Sequence, residues 1–238
     1  MPNDYFQFKQ FTIYQQHCAM KVTTDGCIFG AWAAANIQEN ALKVQRILDI
    51  GTGTGLLSII LAQQSEAFID AVEIDSAAAE QAKTNFHSAP WQQRLKVYET
   101  PIQNYINSPY DFIISNPPFF DKDLKSPDAK RNLALHSSAL SLEVLLANIT
   151  RLLAPNGEFA ILLPYHRLTF FEDLATADGY YLYKKTLVQQ TPKHPYFRGM
   201  LQFGCAKKEA IVDSIVIKED SRYTAAIKDL LKDYYLKL

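Results

Sequence analysis

Three alternating glycines follow an apolar run and mark the first stretch that could do chemistry. Residues 47–50 have the pattern of a buried strand, the glycines fall between residues 51 and 55, and an apolar helix is predicted from Leu56 to about Gln64. A strand, a tight glycine turn and a helix N-terminus let a nucleoside lie against bare backbone. The dinucleotide fingerprint differs, because it requires a small residue where Leu56 stands. A glycine turn is a weak signal by itself, and a purely structural turn is the alternative.

The second stretch is Asn116-Pro117-Pro118-Phe119, which follows a predicted strand at residues 111–115. The exocyclic amine of an adenine is a poor nucleophile, because its lone pair is delocalised into the ring. The side-chain carbonyl of Asn116 can accept one N–H of that amine, and the backbone carbonyl of Pro117 can accept the other. Two prolines stiffen the loop that holds these acceptors, and Phe119 offers a stacking face for a flipped base. The alternative is an ordinary turn with an aromatic plug.

Two acids end the second strand of the pattern, which runs over residues 68–75, and a helix is predicted from Ser76 to about His87. A carboxylate at this place can accept hydrogen bonds from both ribose hydroxyls of a nucleoside. We assign this role to Glu73, because Asp75 is better placed to cap the helix that follows. The alternative is that both acids only favour the helix N-terminus. After a third strand at residues 95–99, the segment Thr100-Pro101-Ile102 lies where an adenine ring would sit.

These motifs need a sheet with helices between its strands, and the rest of the chain supplies that pattern. Aromatic and polar residues alternate over residues 4–22 and predict a short strand or hairpin; a helix rich in small residues is predicted over 28–36, with Thr24 or Asp25 as a candidate cap for its start. Ser141 caps an amphipathic helix that ends at Asn156-Gly157.

A fifth strand is expected at 159–163, a helix at 167–176, and an antiparallel strand pair at 180–190 and 200–206. A further strand near 214–217 and a final helix capped by Thr224 complete the pattern.

Composition excludes several classes of protein. The 238 residues suit a single domain, 48% of them are hydrophobic, and the net charge of -1 leaves no chain-wide basic field for nucleic acid. Three cysteines without CxxC spacing and five scattered histidines suggest neither a disulfide framework nor a metal site. We find no run that resembles a signal peptide or a membrane span. A protein of the reducing cytoplasm, without a metal and without a membrane partner, is therefore expected.

The glycine motif resembles motif I of S-adenosylmethionine (SAM) methyltransferases, and with Asn-Pro-Pro-Phe it resembles those that act on exocyclic or amide nitrogens. Two further stretches, residues 11–32 and 223–236, resemble the ends of one bacterial family. That family is the tRNA adenine-N6 methyltransferases that modify the adenosine 3′ of the anticodon of valine tRNA. The resemblance covers about residues 5 to 236 and implies an α/β, Rossmann-like class I fold with a seven-stranded, mostly parallel sheet and an antiparallel last strand.

The resemblance also implies a role for individual residues and for the N-terminal region. Residues 1–35 would be an extension that packs over the SAM site of one methyltransferase domain spanning 1–238, with a monomer favoured. The residues implied in SAM binding are Lys21, Thr23, Asp25, Gly26, Asp49, Gly51, Thr52, Gly53, Gly55, Glu73, Ile74, Pro101, Ile102 and Asn116. The residues implied in holding the target adenine are Asn116, Pro117, Pro118 and Phe119. The cations expected to contact tRNA are Lys122, Lys125, Lys130, Arg131, Lys193 and Arg198.

Three other functions fit parts of the pattern. A methyltransferase of release-factor glutamine amides also needs an Asn-Pro-Pro pocket, but it typically closes the pocket with tyrosine rather than Phe119. A guanine-N2 methyltransferase of ribosomal RNA usually carries a duplicated domain that 238 residues cannot hold. A non-catalytic RNA-binding module could keep the fold, although every expected catalytic position is filled here.

Overall fold

Strands and helices alternate along most of the chain. The computed structural model describes residues 3–18, 20–39, 44–118 and 140–238. The strands in these residues are β1 (Tyr5–Gln7), β2 (Thr12–Tyr14), β3 (Arg46–Ile50), β4 (Phe68–Glu73), β5 (Leu95–Glu99), β6 (Tyr110–Ser115), β7 (Leu153–Pro164), β8 (Tyr181–Gln189), β9 (Tyr196–Gly204), β10 (Ile211–Val216), β11 (Lys218–Glu219) and β12 (Arg222–Tyr223). The helices are α1 (Thr24–Glu39), α2 (Leu56–Gln64), α3 (Ser76–Ser88), α4 (Leu142–Leu152), α5 (Leu168–Ala177) and α6 (Ala225–Leu231).

The central sheet has the order β10-β8-β9-β7-β6-β3-β4-β5. Strands β3 to β7 pair in parallel, and β9 lies antiparallel between β7 and β8. The predicted α/β class with a mostly parallel sheet is confirmed, and β9 is its antiparallel strand. The sheet has eight strands rather than the seven that the resemblance implies, because the further strand expected near 214–217 forms as β10 and pairs in parallel with β8 at the edge, so the antiparallel strand is not the last.

Side chains from the middle of the sheet pack on both of its faces. Successive residues of a strand point to opposite faces, so Ile47 joins the core under α1 and α2, whereas Leu48 joins the core under α4 and α5. A strand that is covered on both sides has to be apolar throughout, which explains the runs in β3 and β6. The carboxyl ends of β3, β4, β5 and β6 therefore meet at one edge of the sheet.

Three predicted helix caps agree with the structure, whereas two predicted helix boundaries do not. Asp75, Ser141 and Thr224 cap α3, α4 and α6 as predicted, each accepting a hydrogen bond from a backbone N–H. The start of α1 was wrongly predicted: the helix begins at Thr24 rather than at residue 28, and the side chain of Thr23 accepts from the N–H of Gly26. The predicted end of α4 at Asn156-Gly157 was also wrong, because β7 already begins at residue 153.

The two ends of the described chain contact each other. Strands β1 and β2 form the predicted hairpin, and Phe8, just after it, makes a β-bridge with Tyr235. The N–H of Lys9 donates to the carbonyl of Tyr234 at 2.8 Å, and the ring of Phe6 lies 5.5 Å from that of Tyr235. Residues 234 and 235 thus hold the N-terminal hairpin against the body of the protein.

Candidate active site

The glycine turn joins β3 to α2 and has two kinds of glycine. All three of Gly51, Gly53 and Gly55 have positive φ angles, which residues with a side chain rarely adopt. A Cβ added at Gly51 or Gly53 would meet nothing within 4 Å, whereas one at Gly55 would lie 2.5 Å from the ring of Phe86. The first two glycines therefore keep an open backbone surface, and the third permits close packing beneath it.

Glu73, at the end of β4, is fixed by backbone donors. One oxygen of its carboxylate accepts from the N–H of Gly53 at 2.8 Å. The other oxygen accepts from the N–H groups of Ile74 and Asp75 at 2.9 and 3.0 Å. An ionised carboxylate offers about four acceptor sites, so acceptor capacity remains for a ligand hydroxyl. Asp75 is engaged with the N–H of Ala78 at 2.8 Å, which fits the separate roles predicted for the two acids.

Asp49 lies under the glycine turn and is fully buried. Its Oδ2 accepts from the hydroxyls of Thr52 at 2.6 Å and Ser58 at 2.7 Å, whereas its Oδ1 has no hydrogen-bond partner among the residues that the structure describes. Burial raises the pKa of Asp49 to about 6, although both hydroxyls act in the opposite direction. Asp49 and Thr52 therefore brace the turn from below.

Asn116 follows β6 directly and faces the glycine turn. The hydroxyl of Ser115 donates to the carbonyl of Ile50 at 2.8 Å and ties the ends of β6 and β3 together. The Oδ1 of Asn116 is buried and has no hydrogen-bond partner within the described part of the chain. A buried acceptor without a partner costs about 1–3 kcal/mol, so this carbonyl is ready to accept a donor from a ligand. Pro117 is buried, Pro118 is exposed, and Phe119 lies outside the described residues.

A cavity at this edge of the sheet brings many of the predicted residues together. The predicted residues that line it are Gly51, Gly53, Glu73, Ile74, Pro101, Ile102, Asn116 and Pro118. Thr100, which precedes the predicted pair Pro101-Ile102, lines it as well. Asp75, predicted only as a helix cap, also lines it, and the lining residues that the sequence did not single out are Cys18, Met20, Ile50, Val72, Ala78, Gln103 and Leu140. Most of these are apolar residues without a motif, so no sequence signal separated them from core residues.

The predicted N-terminal motif lies beside this cavity but does not line it. The Lys21 ammonium donates to the backbone carbonyl of Gln15, and Thr23 caps α1. The carboxylate of Asp25 forms an ion pair with Arg198 at 3.0 Å. A Cβ added at Gly26 would lie 4.0 Å from the Nδ2 of Asn116, so the start of α1 adjoins the side-chain amide of Asn116.

Two of the predicted tRNA contacts can be located in the structure. Lys193 is exposed in the loop between β8 and β9. Arg198 was wrongly expected in that loop, because β9 already begins at Tyr196, and its guanidinium faces Asp25. Lys122, Lys125, Lys130 and Arg131 lie outside the described residues. Within residues 3–18, 20–39, 44–118 and 140–238, we find no group of three or more potential metal ligands and no helix long and apolar enough to cross a bilayer.

The cavity has the features that a bound SAM molecule requires. Open glycine backbone at a helix N-terminus suits its methionine portion, and a backbone-held carboxylate at the end of β4 suits its ribose. Ile74 and Ile102 provide apolar surface for an adenine ring. The side-chain carbonyl of Asn116, which has no partner among the described residues, shares the cavity and can accept a donor from a second substrate.

A doubly wound sheet with this cavity at its switch point defines a class I SAM-dependent methyltransferase. The sequence matches the Methyltransferase small domain family over residues 33–168. A relative named tRNA1(Val) (adenine(37)-N6)-methyltransferase from Parabacteroides distasonis is 41% identical over 244 residues, which covers 100% of both chains. A relative of the same name from Dyadobacter fermentans is 43% identical and covers 99% of this chain and 98% of its own. The chain belongs to the family of these tRNA1(Val) (adenine(37)-N6)-methyltransferases.

The fold also matches solved structures of more distant sequence. A predicted O-methyltransferase from Agrobacterium tumefaciens superimposes with a TM-score of 0.65 at 15% sequence identity. The match covers 87% of this chain and 95% of the other. At this identity the similarity supports the fold alone.

Proposed function

We propose that this protein transfers a methyl group from SAM to the exocyclic N6 amine of an adenosine in tRNA, next to the anticodon of valine tRNA. The observation that carries the proposal is the buried Oδ1 of Asn116, which accepts no hydrogen bond from any residue that the structure describes and lies in the cavity that also contains the glycine turn. Relatives that bear the tRNA1(Val) name match the chain over its full length, which supports this substrate. tRNA is a soluble substrate of the cytoplasm, where we expect the enzyme to act.

The residues of the Asn-Pro-Pro segment make the target amine reactive. The Oδ1 of Asn116 accepts one amino hydrogen, and the backbone carbonyl of Pro117 accepts the second. These two hydrogen bonds draw the hydrogens out of the ring plane, which favours a pyramidal nitrogen with a localised lone pair. The acceptors are held in place before the base arrives, because β6 and two prolines fix the backbone. Phe119 supplies the stacking face for the flipped base in this proposal.

The glycine turn and its neighbours position the methyl donor. When SAM is bound, its sulfonium supplies a methyl group that is already activated, so the protein mainly has to align it with the amine. Gly51 and Gly53 offer open backbone to the methionine portion, Asp49, Thr52 and Gly55 shape the turn, and Glu73 binds the ribose. Ile74, Pro101 and Ile102 enclose the adenine of the cofactor.

The N-terminal region covers this site in the proposed arrangement. Cys18 and Met20 line the cavity, and Met20 is 52% exposed, which suits a residue that contacts a ligand at the cavity mouth. Lys21, Thr23, Asp25 and Gly26 then support the methionine end of SAM from behind this wall. We therefore treat 1–35 as an extension of one catalytic domain rather than as a separate unit.

The proposal is tested by incubating the purified protein with labelled SAM and three acceptors: unmodified valine tRNA, ribosomal RNA and a release factor. We expect label in N6-methyladenosine after digestion of the tRNA to nucleosides. Label only in guanosine or only in the release factor would overturn the substrate, and each outcome corresponds to one of the alternative functions above. Absence of label from every acceptor, with SAM still bound, would favour a non-catalytic module.

Replacing the catalytic amide separates chemistry from binding. Asn116→Ala removes one of the two acceptors, and the loss of such a preorganised hydrogen bond typically costs about 10²–10³-fold in kcat. Affinity for SAM, measured by calorimetry, should fall much less than kcat, because the glycine turn and Glu73 remain even when the SAM contact implied for Asn116 is lost. Asn104→Ala changes an exposed asparagine near the cavity and serves as the matched control. Equal activity of both variants would contradict the role of Asn116.

A further inference from the structure

A pair of tyrosines lies on the surface, one directly after the end of β7 and the other at the start of β9. The rings of Tyr165 and Tyr196 are 5.7 Å apart between centroids and are inclined by 35°. Tyr165 is 47% exposed, and Tyr196 is partly exposed. We call this pair, with the neighbouring cations Arg167 and Lys193, the aromatic platform. The ring of Phe159, which lies earlier in β7, is by contrast fully buried in the core.

The two segments that carry the aromatic platform contain basic side chains. Both of its segments are free of Asp and Glu, since no acidic residue occurs from 159 to 171 or from 190 to 208. Arg167 lies over the ring of Phe170 at 5.3 Å and is exposed, and Lys193 is exposed in the loop before β9. Among the described residues, Asp25 forms an ion pair with Arg198, and Glu158 forms one with Lys208 beyond the far end of β9. Exposed rings among cations are the combination that binds single-stranded nucleic acid, through stacking and phosphate contacts.

The position of the aromatic platform follows from the strand registers. Ser115 of β6 pairs with Ile161 of β7, and β7 continues three residues further to Pro164, about 10 Å along the strand. Pro164 in turn pairs with Arg198 of β9. Adjacent strands lie about 4.8 Å apart, so the tyrosine pair lies one to two strands to the side of Asn116 and roughly 10 Å beyond it, at the same edge of the sheet. That separation suits a nucleotide next to the one held by Asn116.

We propose that the aromatic platform binds an unpaired nucleotide adjacent to the methylated adenosine, by stacking its base on Tyr165 and Tyr196. Arg167 and Lys193 contact the phosphates on either side of it. The inference rests on the proposed function, which supplies a target adenosine in a single-stranded loop. It adds a way to hold that loop open: the neighbouring base finds a new stacking partner when the target base leaves its own.

Steady-state kinetics with the full-length protein test this inference. Removing an aromatic stacking partner typically weakens RNA binding by about one to two orders of magnitude per base. We expect Tyr165→Ala with Tyr196→Ala to raise the KM for valine tRNA at least tenfold, with the KM for SAM unchanged. Tyr165→Trp should retain the wild-type KM, because tryptophan also stacks. Tyr181→Ala is the matched control, since Tyr181 is 40% exposed and begins β8 at the opposite edge of the sheet.

A fluorescent base reports the stacking itself. We would place 2-aminopurine at either nucleotide that flanks the target adenosine in an anticodon stem-loop, and measure its emission with each variant. Quenching at one of these positions by the wild type and by Tyr165→Trp, but not by the alanine variant, supports the platform. Equal emission with the wild type and with the double alanine variant overturns the proposal. A change of oligomeric state in the double alanine variant also overturns it, because that change would identify a protein interface instead.

The failure of this inference differs from failure of the proposed function. If the wild-type protein methylates no adenosine in tRNA, the proposed function fails, whatever the tyrosine variants do. If the wild type methylates tRNA and the tyrosine variants match Tyr181→Ala in KM, only the aromatic platform is refuted. Lys193→Ala should reduce the salt dependence of tRNA binding by about one unit of log–log slope, with exposed Lys207 at the far end of β9 as its control.

Discussion

The two sides of the active-site edge are constructed differently. On the side of β3 and β4, the cofactor cavity is shaped by backbone: open glycines, and a Glu73 carboxylate held by three N–H groups. On the side of β7 and β9, the surface consists of side chains at strand ends, with exposed rings and cations. The first side suits one invariant small molecule that must be aligned accurately. The second suits a large, flexible RNA that is gripped through many weak contacts.

The largest predicted effect is the loss of stability on replacing Gly55, which packs against the protein, whereas Gly53 leaves its backbone open to the cavity. Gly55→Ala forces a side chain into a left-handed conformation and against Phe86, at a cost of about 2–5 kcal/mol from strain and overpacking together. For a chain of this size the melting temperature should fall by about 5–15 °C. Gly53→Ala is the control, because its added methyl meets no protein atom. It should lower SAM affinity at least tenfold with a smaller thermal shift, and equal thermal shifts would contradict the distinction.

The second prediction concerns the pH dependence of stability, because the carboxyl group of Asp49 is buried beneath the glycine turn on the cofactor side. Its pKa of about 6 in the folded protein exceeds the ordinary value of 3.8, so the folded state takes up the proton first as pH falls. Its contribution to stability is therefore fully present below pH 3.8 and is lost as pH rises through 6. Relative to Asp49→Asn, the wild type should lose on the order of 3 kcal/mol between pH 4 and 7. Denaturant unfolding across this range measures it, and parallel profiles would refute it.

The smallest effect concerns the ion pair that connects the two sides. Arg198→Ala and Asp25→Ala should each raise the KM for SAM by a similar factor, because either change frees the start of α1 beside Asn116. The pair is partly exposed, so a double-mutant cycle should give a coupling of about 1 kcal/mol or less. If Arg198 instead contacts tRNA, Arg198→Ala alone will raise the KM for tRNA, and Asp25→Ala will leave it unchanged.

The sequence predicted the local motifs of the cofactor side better than the contacts between distant parts of the chain, for a physical reason. The glycine turn, the cap at Asp75 and the position of Asn116 at a strand end depend on residues within a few positions of one another. The pairing of Asp25 with Arg198 joins residues 173 positions apart, so no local pattern reveals it. Cys18 and Met20 reach the cavity only because the N-terminal hairpin folds back over α3, and their apolar character gave no sign of that.

The contact between Phe8 and Tyr235 has a consequence for the order in which the protein is made. The two residues are separated by most of the chain, and a ribosome adds about 5–20 residues per second, so roughly 10–45 s pass between their synthesis. During that interval the hairpin can already contact α3 through the side chain of Asn85, but it lacks the ring of Tyr235 that packs on Phe6 and Phe8. The central strands are complete well before then. The wall that carries Cys18 and Met20 is therefore held from both sides only after residues 234 and 235 are made, and a chain that stops short of residue 234 would hold this wall through α3 alone.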